Sequence, residues 1–78
     1  MMNRLRVRFY LPESGESLET VIDRRLSWEE NLKVIGDLCG RKDLYKRQIC
    51  DHEKMIFLKK EEKVSSYRIG TYMTFYLY

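Results

Sequence analysis

The 78-residue sequence contains one proline, four glycines, two cysteines, one histidine and one tryptophan. So little Pro and Gly excludes collagen-like and linker-like chains. Two thiols cannot supply the disulfide framework that a small secreted domain needs, so the simpler reading is reduced cysteines in a cytoplasmic protein. No apolar run approaches the ~18 residues required to cross a bilayer, and direct membrane insertion is not expected. Arg4, Arg6 and Arg8 interrupt the apolar residues of the first ten positions, so no export signal is read there. An excess of one charge is also lacking, since 15 Lys plus Arg against 12 Asp plus Glu leave a net +3. That balance permits a nucleic-acid binder without implying one, because clustering on a face matters more than the sum.

The chain is 44% hydrophobic and 13% aromatic, which is enough for one folded domain over residues 1–78. A domain of this size buries only about 60–65% of the surface its unfolded chain exposes, so most apolar side chains are needed for the core.

Hydrophobic periodicity orders the elements. Leu5, Val7, Phe9 and Leu11 alternate with Arg4, Arg6, Arg8 and Tyr10, the pattern of a half-buried strand. Pro12 to Glu16 reads as a turn and Ser17 to Arg25 as a second strand, giving an N-terminal hairpin. Ser27-Trp28-Glu29-Glu30 places a capping hydroxyl three residues before a Glu that can reach back to it. Trp28, Leu32, Ile35 and Cys39 then recur at helical spacing, with Leu38 beside them, and Gly40 is the expected helix stop. Gly36 stands inside this helix at a cost of roughly 1 kcal/mol relative to Ala, which implies either close approach to a sheet or simple tolerance.

Beyond the helix, Leu44 to Cys50 is expected to form a third strand, Asp51 to Lys54 a polar turn, and Met55 to Leu58 a short fourth strand. Lys59 to Lys63 is charged throughout and reads as a solvated turn. Val64 to Gly70 reads as a compact turn. Tyr72 to Tyr78 makes a fifth strand, with Met73, Phe75 and Leu77 inward and Tyr72, Thr74, Tyr76 and Tyr78 outward. One helix over a mixed four- or five-stranded sheet is an α+β two-layer domain.

Little here suggests chemistry. Cys50, Asp51, His52 and Glu53 are neighbours in sequence, but a metal site needs three or four convergent ligands and a catalytic dyad a positioned third group. Glu29 with Glu30 and Glu61 with Glu62 are adjacent and point apart. No Gly-rich phosphate loop is present. No catalytic residue, metal or cofactor is expected, and an enzyme is not. Cys39 is read as helix core and Cys50 as strand core or periphery.

Val64-Ser65-Ser66-Tyr67-Arg68-Ile69 followed by an alternating strand resembles the segment before the last strand of ubiquitin, and the order of elements resembles ubiquitin-like β-grasp proteins across the chain. Leu58 and Val64 repeat the spacing of two core leucines in that family. The resemblance implies that the Tyr67 hydroxyl bonds to backbone near Lys59 to Glu61. Val21-Ile22-Asp23-Arg24-Arg25-Leu26-Ser27 is similar to the stretch leading into the helix of the bacterial YukD-like proteins, which are associated with type VII secretion in Gram-positive bacteria. That likeness implies an accessory or regulatory component and a membrane-associated secretion component as partner. Two features depart from the family. The sequence shows no terminal Gly-Gly, so conjugation is not expected, and Gly70-Thr71 stands where relatives commonly carry Asp-Gly.

In the ubiquitin-like arrangement the first and last strands run side by side, which brings Arg4, Arg6, Arg8 and Tyr10 beside Tyr72, Tyr76 and Tyr78. Two readings follow. The face is either self-satisfied, with guanidinium groups stacked on tyrosine rings, or a protein-binding surface, since Arg and Tyr are enriched at interfaces. A nucleic-acid surface, with the arginines on phosphates and the tyrosines on bases, is the alternative. By the same resemblance Ile49 occupies the place of an outward-facing isoleucine and would join the face. Hydrophobicity alone turns Tyr45 and Ile49 inward.

Overall fold

A computed structural model describes residues 3–70 and 72–78; Met1, Met2 and Thr71, the last in the expected Gly70-Thr71 turn, lie outside them. Among the described residues, five strands and one α-helix follow in the order β1 (Arg4–Leu11), β2 (Glu16–Asp23), α1 (Trp28–Cys39), β3 (Ile49–Asp51), β4 (Ile56–Phe57) and β5 (Thr74–Leu77). The strands form one sheet in the order β2-β1-β5-β3-β4, in which β1 and β5 are parallel and the other neighbours antiparallel. The helix covers one face, so the architecture is the expected α+β two-layer domain.

The hairpin follows from the alternation in its sequence. Val7, Phe9 and Leu11 of β1 and Ile22 of β2 are fully buried, as are Phe75 and Leu77 of β5. From the helix, Trp28 and Leu32 enter the same core, and the Trp28 ring lies 5.0 Å from that of Phe75. Leu58 and Val64 are buried as well, in keeping with their spacing.

Helix α1 begins with the capping box written in its sequence. The Ser27 hydroxyl accepts from the Glu30 N–H at 3.0 Å, and the Glu30 carboxylate accepts from the Ser27 N–H at 2.9 Å. These bonds, the backbone one foremost, hold the Glu30 carboxyl below its usual pKa. The first helical N–H groups have no partner inside the helix. Here Trp28 and Glu29 donate to the carbonyls of Glu62 and Lys60 at 3.2 and 3.0 Å. The charged Lys59–Lys63 run, expected only as a solvated turn, therefore holds the helix start through its backbone. Buried Asn31, which the periodicity did not single out, ties the end of β2 to the helix. Its amide accepts from the Asp23 N–H at 2.7 Å and donates to the Asp23 carbonyl at 2.9 Å.

Four expectations need correction. Leu44–Cys50 is not one strand: Leu44–Lys46 is a 3₁₀ turn that buries Leu44, and β3 starts only at Ile49. Cys39 is exposed and not part of the core, because the apolar stripe ends one turn earlier with Ile35. Asp51 does not belong to a polar turn but is fully buried at the end of β3. The last strand is shorter than Tyr72–Tyr78, and Tyr72 precedes it with a left-handed backbone at φ 63°.

Candidate functional site

The uncovered face of the sheet is built by strand pairing. Tyr10 pairs with Ser17 on one side and Tyr76 on the other, Tyr76 with Cys50, and Cys50 with Phe57. Residues directly opposite one another point to the same side, so Ser17, Tyr10, Tyr76, Cys50 and Phe57 form one row across all five strands, on the side away from buried Phe9 and Phe75. The Tyr10 and Tyr76 rings meet edge to face at 5.0 Å. His52 stacks on Tyr76 at 4.1 Å with planes within 10°. Tyr78 lies 6.2 Å from Tyr76 and 6.0 Å from Phe57.

Arg4, Arg6 and Arg8 share this face with the tyrosines, as the alternation of β1 requires. Arg8 is paired with Glu19 of β2 at 2.6 Å, both side chains about half exposed. The bond from Arg8 holds the Glu19 carboxyl below its ordinary pKa. Among the described residues, Arg4 and Arg6 have no acidic partner, and no guanidinium lies over a tyrosine ring. The face is therefore not satisfied by Arg–Tyr stacking: a histidine stacks where an arginine was expected, and a carboxylate takes Arg8. Tyr72 is exposed, and its N–H donates to the Arg6 carbonyl at 3.0 Å, which fixes it beside β1. An open groove of about 630 Å³ is lined by Tyr10, Tyr72 and Tyr76 together with Arg8, His52 and Glu53.

Ile49 does not join this face. It is fully buried opposite Leu77, while Gln48 is solvent-exposed. Placing Ile49 outward would have required burying the Gln48 amide, and the apolar side chain takes the core instead. The same alternation turns Cys50 and His52 toward the uncovered side, so an inward Ile49 was the signal that could have added both to that face. Among the described residues, no three His, Cys, Asp or Glu side chains gather where a metal ion could be held.

A second polar group lies on the helix side. The Tyr67 hydroxyl donates to the Asp51 carboxyl and not to the Lys59–Glu61 backbone. The other Asp51 oxygen accepts from the N–H groups of Glu53 and Lys54 at 3.2 and 3.4 Å. Burial first, and then the bond to Asp51, push the Tyr67 phenol up to about 12. In the unfolded chain a tyrosine ionises near pH ~10. Tyr67 thus contributes nothing pH-dependent below that value, and stability falls as pH rises from about 10 to 12, by about 2 kcal/mol. Urea melts of the wild type and Tyr67→Phe should diverge in slope against pH only across that window. Parallel curves there would contradict the pairing.

No protein-family model matches the chain. No curated protein matches it either. Among solved structures it is similar to a de novo designed protein based on ubiquitin, with a TM-score of 0.75 and 15% identity over 100% of this chain and 90% of that one. No helix among the described residues is long and apolar enough to cross a membrane. With its strand order and single covering helix, the domain has the ubiquitin-like β-grasp fold.

Proposed function

We propose that this chain is a non-enzymatic interaction module that binds a protein partner through the uncovered face of β1 and β5. The observation that supports the reading is the aromatic cluster of Tyr10, Tyr76, His52 and Tyr78 next to Arg4 and Arg6, neither of which forms a close ion pair with a described acidic side chain. Rigid aromatic rings and arginines carry much of the energy in protein interfaces, because they bury large areas at small entropic cost. The proposed setting is the bacterial cytoplasm, as an accessory or regulatory component of type VII secretion, with a membrane-associated secretion component as partner. Support for that setting is the likeness of Val21 to Ser27 to the YukD-like proteins.

The test is capture from the native host on the tagged chain. A secretion ATPase or membrane component should co-purify, and Arg6→Glu with Tyr76→Ala should reduce its binding tenfold or more at an unchanged melting temperature. Undiminished capture by the double variant would place the interface elsewhere. The arginines beside exposed rings also suit a nucleic-acid strand. Titration with single-stranded oligonucleotides at two salt concentrations separates the readings, since phosphate contacts weaken steeply with salt.

A further inference from the structure

The groove beside Tyr76 has a charge character opposite to that of the whole chain, which carries a net +3. Arg8 lines the groove but is matched by Glu19 at 2.6 Å. Glu53 lines it too, and its carboxylate forms no ion pair with a described cation. Lys54, the next residue, sends its ammonium 5.0 Å over the Tyr67 ring instead. With His52 neutral, the unbalanced charge of the lining is therefore negative. The tyrosines add to it, because the face of an aromatic ring carries the negative part of its quadrupole. Lysines lie over Tyr45 and Tyr67 elsewhere in the protein, whereas no described cation lies over Tyr10, Tyr72 or Tyr76.

We infer that, within the proposed binding face and resting on that reading, this groove takes an arginine side chain of the protein partner. The shape suits a flat cation. Thr74 pairs with Arg8 in the middle of the groove and is smaller than the tyrosines on either side of it. Tyr76 stands at one end. At the other, a left-handed backbone and a bond to the Arg6 carbonyl hold Tyr72, whose ring is 66% exposed and packs on no other described ring. A guanidinium can stack on such a ring and offer its planar fork to the Glu53 carboxylate. An ammonium suits the site less, because in an open groove it holds its water more strongly and has no flat face. An acidic side chain would meet Glu53 and the ring faces. The uncovered face thus divides into a cation-accepting groove and an anion-accepting end at Arg6 and Arg4. Two residues of a strand advance about 7 Å, so the partner's arginine calls for carboxylates roughly 7 and 14 Å to one side of it, over Arg6 and Arg4.

NMR titration of the full chain with a capped Ser-Arg-Ser peptide tests this, beside the same peptide carrying lysine, glutamate or citrulline, the last of which keeps the shape of arginine without its charge. The arginine peptide should shift the amide signals of Tyr72, Tyr76 and Glu53 with a millimolar Kd, and the citrulline peptide should bind about tenfold more weakly, with lysine between them. Glu53→Gln and Tyr72→Ala should each weaken the arginine peptide about fivefold. Both side chains are exposed, so these variants are expected to fold. Arg6→Glu lies outside the groove lining and should leave the arginine peptide bound at least as tightly as by the wild type. Citrulline, lysine or glutamate bound as tightly as arginine, or arginine binding untouched by both groove variants, would overturn the inference. Host-partner capture that is lost in the Arg6→Glu, Tyr76→Ala double variant while no arginine peptide binds would also overturn it and leave the proposed face standing. Peptide binding in the expected order with undiminished capture would instead overturn the face as the partner's interface and leave the groove an arginine site.

Discussion

Asp51→Ala is expected to lower the free energy of unfolding by about 3 kcal/mol, through the loss of a buried acceptor that three donors share. Asp51 is fully buried, and its carboxyl receives the Tyr67 hydroxyl and the N–H groups of Glu53 and Lys54. Alanine would leave those donors unpaired and open a small void beside them. The position also joins two parts of the fold, because it pairs with Phe75 of β5 and with Ile56 of β4. For a domain of this size the melting temperature should fall by about 15 °C. Asp51→Asn retains an acceptor for the two backbone donors and should cost about 1 kcal/mol. Equal melting temperatures for the two variants would show that the acceptor does not hold the turn.

The contrast between Asp51 and Phe9 explains what the sequence could reveal. Phe9 belongs to an eight-residue run in which each residue repeats the same in-and-out rule, so its burial is legible without knowledge of its neighbours. The capping box at Ser27 is equally local, since its partners are three residues apart. Asp51 is buried because Tyr67, 16 positions later, brings a hydroxyl to it, and no periodicity encodes that meeting. Lys59–Lys63 was half legible: its side chains are mostly exposed, while its carbonyls serve the helix start, a role that side-chain identity does not record.

The uncovered face shows the same division. Arg4, Arg6, Arg8 and Tyr10 could be placed by alternation within β1, and Tyr76 and Tyr78 by alternation near the chain end. For Ile49 hydrophobicity pointed inward and the resemblance outward, and a β3 of only three residues offers too short an alternation to decide between them. His52 carries no signal of its own in the sequence, although its stack on Tyr76 makes it part of the aromatic cluster on the uncovered face. Nor did a charge count disclose that Glu19 occupies Arg8 while Arg4 and Arg6 have no such partner among the described residues.

Gly36→Ala is expected to destabilise the fold by about 3 kcal/mol, although alanine ordinarily favours a helix interior by roughly 1 kcal/mol over glycine. The reason lies at the helix end. Gly40 adopts the left-handed conformation at φ 73°, and the N–H groups of Gly40 and Arg41 both reach the Gly36 carbonyl, the latter at 2.8 Å. This reversal lays the Arg41 carbonyl against Gly36, where a β-carbon would sit 2.3 Å from the Arg41 oxygen. The close approach is thus to the chain leaving the helix and not to the sheet. That chain cannot easily yield. The Arg41 guanidinium is held by Glu16 at 2.6 Å and Asp43 at 3.0 Å, and fully buried Leu44 follows three residues later. Gly40→Ala is the useful comparison, because a β-carbon there meets nothing within 4 Å and pays only for its left-handed backbone, roughly 1–2 kcal/mol. Thermal melts should rank wild type above Gly40→Ala and Gly40→Ala above Gly36→Ala. A Gly36→Ala protein as stable as the wild type would mean that the segment after the helix does not pack against it as closely as this geometry requires.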